Sequence, residues 1–241
     1  MERIIVLGGH SGDEAITSGM AIATLVRNGA KVLFISLTNG DGGKQGTPRE
    51  VYAIQKESEA KKCCEILGVE TILFPISSGK LEATIELEEQ LATIFRKFKP
   101  DTIITHFKET VHRDHLMTSI LTKQAKSLAE SSRYNDGNEP LKGAQLLYAD
   151  NWEDAKGFIP NYYLPSTEED EKVWLEACSQ FEFFRCSFYN FNYKGYYEAL
   201  HRMRGAIGAL SGSGKNLATA FMRDYDAYGV YFLNEKGEDK I

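Results

Sequence analysis

Ile4-Ile5-Val6-Leu7-Gly8-Gly9-His10-Ser11-Gly12-Asp13-Glu14 is the stretch from which the fold of this chain is read. The apolar run at its start reads as a buried strand, and the pattern from residues 15 to 28, closed by Gly29, reads as a helix. A His and an Asp three residues apart, where a strand hands over to a helix, aim at one point beyond the strand's end. That is a spacing suited to metal ligands.

The same unit recurs along the chain. Strands are expected at residues 31–37, 71–74, 101–105 and 144–148, and helices at 49–67, 81–99 and 116–130. Such alternation implies an α/β fold: a Rossmann-like, mostly parallel sheet with helices on both faces and right-handed crossovers. In the order 3-2-1-4-5, strands 1 and 4 are neighbours where the winding reverses, and ligands bind beyond their carboxyl ends. His10 and Asp13 follow strand 1, while His112, Asp114 and His115 follow strand 4. Topology alone therefore brings two sequence-distant clusters together. Two histidines and an aspartate suit a catalytic Zn2+, and the same set serves Fe2+. Asp114 is expected to orient one of the two neighbouring imidazoles.

The loop of residues 38–47 carries four glycines. It is either a surface connection or a place where backbone approaches a ligand. After Asp150 the pattern changes: helices are expected at 167–181 and 196–210, with an aromatic stretch between them that forms core or a lid. Residues 1–150 thus form the α/β core, and 151–241 a helical and aromatic extension completing a single domain.

At 241 residues, 42% hydrophobic and 26% charged, the composition is that of a soluble globular chain. A net charge of −6 without a basic run excludes nucleic acid and an anionic membrane surface as partners. The N-terminus is too short of apolar residues for a signal peptide, and no segment is a membrane span. Cys63, Cys64, Cys178 and Cys186 are read as reduced thiols of a cytoplasmic protein. A homo-oligomer is left open. Two motifs are decoys. Gly8, Gly9 and Gly12 lack dinucleotide-binding spacing, and Ser211-Gly212-Ser213-Gly214-Lys215 lacks the first glycine of a phosphate loop and is read as a turn between helices.

His10-Ser11-Gly12-Asp13-Glu14 and His112-Arg113-Asp114-His115 resemble the two motifs of the PIG-L/LmbE family of zinc-dependent N-acetylglucosaminyl de-N-acetylases, His-Pro-Asp-Asp-Glu and a His-Pro-Asp-His type. The likeness extends to Leu37-Thr38-Asn39-Gly40, Gly46-Thr47-Pro48, Ser179-Gln180 and Arg204-Gly205. It implies an LmbE-like deacetylase domain with His10, Asp13 and His115 as metal ligands. It also implies His112 as the acid or oxyanion-stabilising residue and Asp114 as the group that orients it. The substrate it implies is a small amino-sugar conjugate bearing an N-acetyl group. The family's general-base aspartate is Gly12 here, and a family arginine is Lys56. Asp41, in the glycine-rich loop, is the preferred substitute base. The alternatives are a catalytically silent metal- or sugar-binding relative, testable by Gly12→Asp, and a nucleotide-binding α/β protein.

Overall fold

A computed structural model describes residues 1–154, 156–185, 190–208 and 216–223. Successive β/α units build β1 (Arg3–His10), α1 (Asp13–Arg27), β2 (Lys31–Thr38), α2 (Arg49–Leu67), β3 (Glu70–Leu73), α3 (Ile85–Phe98), β4 (Thr102–Thr105), α4 (Arg113–Glu130) and β5 (Gln145–Ala149). The chain then adds β6 (Tyr162–Ser166), α5 (Glu168–Cys178), α6 (Tyr193–Gly208) and β7 (Leu217–Met222). The sheet order is β3-β2-β1-β4-β5-β7-β6. The first five strands are parallel, and β7 runs antiparallel to both β5 and β6.

Strand alternation divides the core between the two faces. Ile4, Val6, Val32 and Phe34 face a layer that includes Met20 of α1, Cys63 of α2 and Trp174 of α5. Their neighbours Ile5, Leu7, Leu33 and Ile35 pack with Leu91 and Phe95 of α3 and Leu121 and Ala125 of α4. Side chains buried on both faces explain the continuous apolar runs of the parallel strands. Cys63, Cys64 and Cys178 are buried free thiols.

Helix starts depart from expectation where a cap intervenes. Thr84 accepts a hydrogen bond from the Leu87 amide, so α3 begins at Ile85 rather than at residue 81. His112 Nδ1 accepts from the Asp114 amide, so α4 begins at Arg113 and takes His115 into its first turn. Strands β6 and β7 were not expected. Pro165 sits in β6, an edge strand, where a missing amide is tolerated. Cys186, the 211–215 segment and the end of the 196–210 helix lie outside the described residues. Among the described residues no helix is long and apolar enough to cross a membrane.

Candidate metal centre

β1 ends at His10, and Gly12 turns the chain with φ +110° so that α1 begins at Asp13. The carboxylate of Asp13 folds back to accept the His10 amide at 2.7 Å. On the neighbouring strand, β4 delivers His106 and then the short loop to His112 and α4.

Three donor atoms converge between these two strand ends. His10 Nδ1, Asp13 Oδ2 and His115 Nε2 lie 3.2 Å from one another in each pairing. A tetrahedral ion held at about 2.0–2.1 Å requires donor atoms roughly 3.3 Å apart, so the triad fits a zinc-like ion. The two imidazoles are each backed by a carboxylate. Asp114 Oδ2 accepts from His10 Nε2 at 3.0 Å and from the Gly79 amide at 2.6 Å, which leaves the His10 Nδ1 lone pair facing the triad. Glu153 Oε2 is 3.2 Å from His115 Nδ1, an ion-pair contact without hydrogen-bond alignment. Asp114 therefore orients His10, not His112.

Charge keeps this cluster polarised. Burial opposes ionising Asp13, but the charge of His115 and the contact with the His10 ring outweigh it and hold the carboxyl well below its ordinary range. His115 is raised to about 10: burial resists its charge, and Asp13 and Glu153 overcome that resistance. His106 goes the other way, down to about 4, through burial and the nearby charge of His115. Its Nε2 accepts the Gly9 amide at 2.8 Å, so the neutral ring is committed to the backbone. It stacks on His115 at 3.8 Å and braces that ring. His112 Nδ1 is likewise occupied, by the Asp114 amide, which puts the ring proton on Nε2.

The triad opens on a cavity of about 840 Å³, within the range of about 300–1,000 Å³ that small-molecule sites occupy. His112 and Gly40 line it on one side, and Trp152, Phe183, Phe191 and Tyr193 supply an aromatic wall. Trp152 stacks on Phe191 at 4.4 Å, so the aromatics of the extension do reach the site.

Asp41 does not serve as expected. Its Oδ2 accepts from Ser77 Oγ at 2.6 Å, and its Oδ1 accepts from the Ser78 amide at 2.8 Å and Arg49 at 3.2 Å. The carboxylate ties the glycine-rich loop to the 77–78 turn and is absent from the cavity lining. Gly12 offers no easy restoration either, since a Cβ there would lie 3.1 Å from the Phe181 ring on a left-handed backbone. Sequence reasoning left His106 and Glu153 without roles. Each closely follows a parallel strand, as Asp13 does, and that position was the signal.

The model of the PIG-L family, described as GlcNAc-PI de-N-acetylase, matches residues 5–126, just over half of the chain. The 1D-myo-inositol 2-acetamido-2-deoxy-alpha-D-glucopyranoside deacetylase of Thermomonospora curvata is 27% identical over 175 residues, covering 60% of this chain and 58% of the relative. The probable N-acetyl-alpha-D-glucosaminyl L-malate deacetylase 2 of Bacillus cereus is 29% identical over 128 residues, 48% of this chain and 57% of the relative. The matches thus span under three fifths of these relatives' lengths. Among solved structures, the 4-carboxy-2-hydroxymuconate hydratase GalB of Pseudomonas putida KT2440 superposes with a TM-score of 0.80 at 19% identity, covering 92% of this chain and 95% of that one. That likeness is one of fold.

Proposed function

Because the chain belongs to the PIG-L family of GlcNAc-PI de-N-acetylases, we propose that it is a zinc-dependent hydrolase removing the N-acetyl group from an N-acetylglucosamine-type amide. The observation that carries this reading is the triad of His10, Asp13 and His115 at mutual distances of 3.2 Å, with a carboxylate behind each imidazole. The two relatives named above are deacetylases of an inositol-linked and a malate-linked N-acetylglucosaminide, which supports an amino-sugar substrate.

Zn2+ held by these three residues would supply Lewis-acid polarisation of the amide and acidify water. The chain's own groups do the rest. Asp114 and Glu153 fix the two imidazoles. His112, with its proton on Nε2, donates to the oxygen on which charge develops as the amide carbon becomes tetrahedral. Trp152 and its aromatic neighbours give a sugar ring an apolar face and exclude water. Among the described residues no cavity carboxylate is a free base: Asp13, Asp114 and Glu153 all line the cavity and each touches a histidine. Losing a general base costs about 10²–10⁴-fold in rate, so turnover is expected to be slow.

The test is acetate release from N-acetylglucosaminides by metal-loaded protein, beside His115→Ala, with elemental analysis of both. Wild type should carry about one zinc per chain and release acetate, and the variant should lose the metal and at least about 10³-fold in rate. Full metal occupancy without hydrolysis of any such amide would defeat the proposal. It would favour the second reading, a silent metal- or sugar-binding relative, for which Gly12 and the Phe181 ring beside it are the structural argument.

A further inference from the structure

On the Nδ1 side of His115, buried polar atoms collect without partners. Among the described residues, Thr110 Oγ1, Glu153 Oε2 and both carboxylate oxygens of Asp154 are buried and make no hydrogen bond. Glu153 Oε2 at least has His115 Nδ1 at 3.2 Å. Asp154, 4% exposed, has no ion pair among the described residues, and the Thr110 hydroxyl faces its carboxylate without hydrogen-bond alignment. A buried carboxylate is costly unless something pairs with it. The cations nearby are spent. His115 is the positive group acting on Asp154, and Asp13 and Glu153 already hold it, while Arg204 closes on Asp150 at 2.6 Å. Burial pushes the Asp154 carboxyl up to about 6, which leaves it an anion at neutral pH. Water could complete the hydrogen bonds here but not the charge.

The two side chains come from turns that abut. The Thr110 amide donates to the Phe107 carbonyl at 3.3 Å after β4, and the Asp154 amide donates to the Asn151 carbonyl at 2.9 Å after β5. A Cβ on Gly157 would stand 3.5 Å from Glu109 Oε2 and 3.7 Å from the Phe107 ring, so Glu109 brings a further carboxylate to the same junction. Carboxylate and hydroxyl oxygens on irregular loops are the donor set of a hard cation. Calcium accepts irregular cages of roughly six to eight oxygens, backbone carbonyls and water included, whereas magnesium demands a near-ideal octahedron.

We infer that Asp154 and Thr110, with Glu109 and Glu153 alongside, form a calcium-class cation site, separate from the triad, that staples the loop after β4 to the turn after β5. The first of these loops ends at His112, and the second carries Trp152 and Glu153, all three of which line the cavity. The ion would therefore tie two cavity walls to each other. The site goes beyond the proposed amide hydrolysis and does not depend on it.

The experiment follows thermal unfolding of zinc-loaded protein, freed of other cations, with and without Ca2+, in wild type, Asp154→Asn, Thr110→Val and, as a surface-carboxylate control, Glu86→Gln, with zinc content measured in every sample. Without calcium, Asp154→Asn should melt as high as wild type or higher, because it removes an uncompensated buried charge. Calcium at about a hundredfold excess over Kd should raise wild type and Glu86→Gln by roughly 5–10 °C, move Thr110→Val less and leave Asp154→Asn where it was. Terbium luminescence sensitised by Trp152, two residues from Asp154, should be displaced by calcium in wild type and be absent from Asp154→Asn. None of these readouts is turnover, so their outcome is separate from that of the acetate assay. A calcium shift that persists in Asp154→Asn, or that follows loss of zinc, overturns the site. So does a wild type that calcium leaves unmoved, and in that case an Asp154→Asn protein less stable than wild type would assign the carboxylate to the fold alone.

Discussion

Arg96 and Lys56 are both buried cations, one on each side of the sheet, and the fold treats them in opposite ways. Arg96, 1% exposed on α3, spends its guanidinium on the carbonyls of Ala129, Ser131, Tyr134 and Asn138 and on the Asp136 carboxylate. It thereby pins the turn after α4. Among the described residues Lys56 Nζ has two aromatic faces and no hydrogen-bond acceptor. Arg96 is neutralised by acceptors it touches, whereas Lys56 rests on ring faces with the Glu59 carboxylate as its largest favourable charge.

The contrast breaks most visibly at Arg96. Arg96→Met should cost about 3–5 kcal/mol, because it removes a buried guanidinium and leaves the Asp136 carboxylate and several carbonyls unpaired, and chemical denaturation measures it. A loss under about 1 kcal/mol would show that the network is ornamental. Lys56→Met should do the reverse. The Lys56 pKa is about 8 when folded against 10.5 for an unperturbed lysine, so between those pH values the unfolded chain binds more protons and stability rises with pH. The gain is at most about 3 kcal/mol across the window. It should vanish in Lys56→Met, which at neutral pH should be as stable as wild type or more so. Subtracting the two pH profiles isolates Lys56 from the other titrating groups, with Glu59, Asp13 and Glu14 common to both proteins. The smallest effect belongs to Gly40, which combines φ +74° with close approach to the lysine stem. Gly40→Ala should cost about 1–2 kcal/mol, and part of that should return when a smaller residue replaces Lys56, as a double-mutant cycle would show.

How far such features can be read from a sequence depends on their origin. Strands β1 to β5 and their order follow from periodicity and from alternation with helices, both local signals. β6 and β7 do not: Tyr162-Tyr163-Leu164-Pro165-Ser166 holds a proline, and its strand character comes from pairing with Leu217–Met222 far along the chain. The convergence of the His10/Asp13 and His112/His115 clusters was legible because topology places the ends of strands 1 and 4 side by side; that His115 joins His10 and Asp13 was implied only by the family resemblance. Asp41 was misjudged for a matching reason. Its loop does open on the cavity, but its carboxylate is claimed by Ser77 and Ser78, residues that no local pattern ties to it. The partner of Asp114 was hidden as well, since an i, i+2 neighbour such as His112 is less accessible to its side chain than His10 across the cleft.

Phe181 beside Gly12 decides what position 12 can hold. An aspartate placed there would meet a ring 3.1 Å from its Cβ and a backbone at φ +110°, so alone it should destabilise the protein. Phe181 is in turn one of the two faces that hold Lys56. Making room with Phe181→Ala would therefore take a ring face from the lysine as well. Gly12 and the buried lysine share the Phe181 ring, so a change at that ring is felt at both.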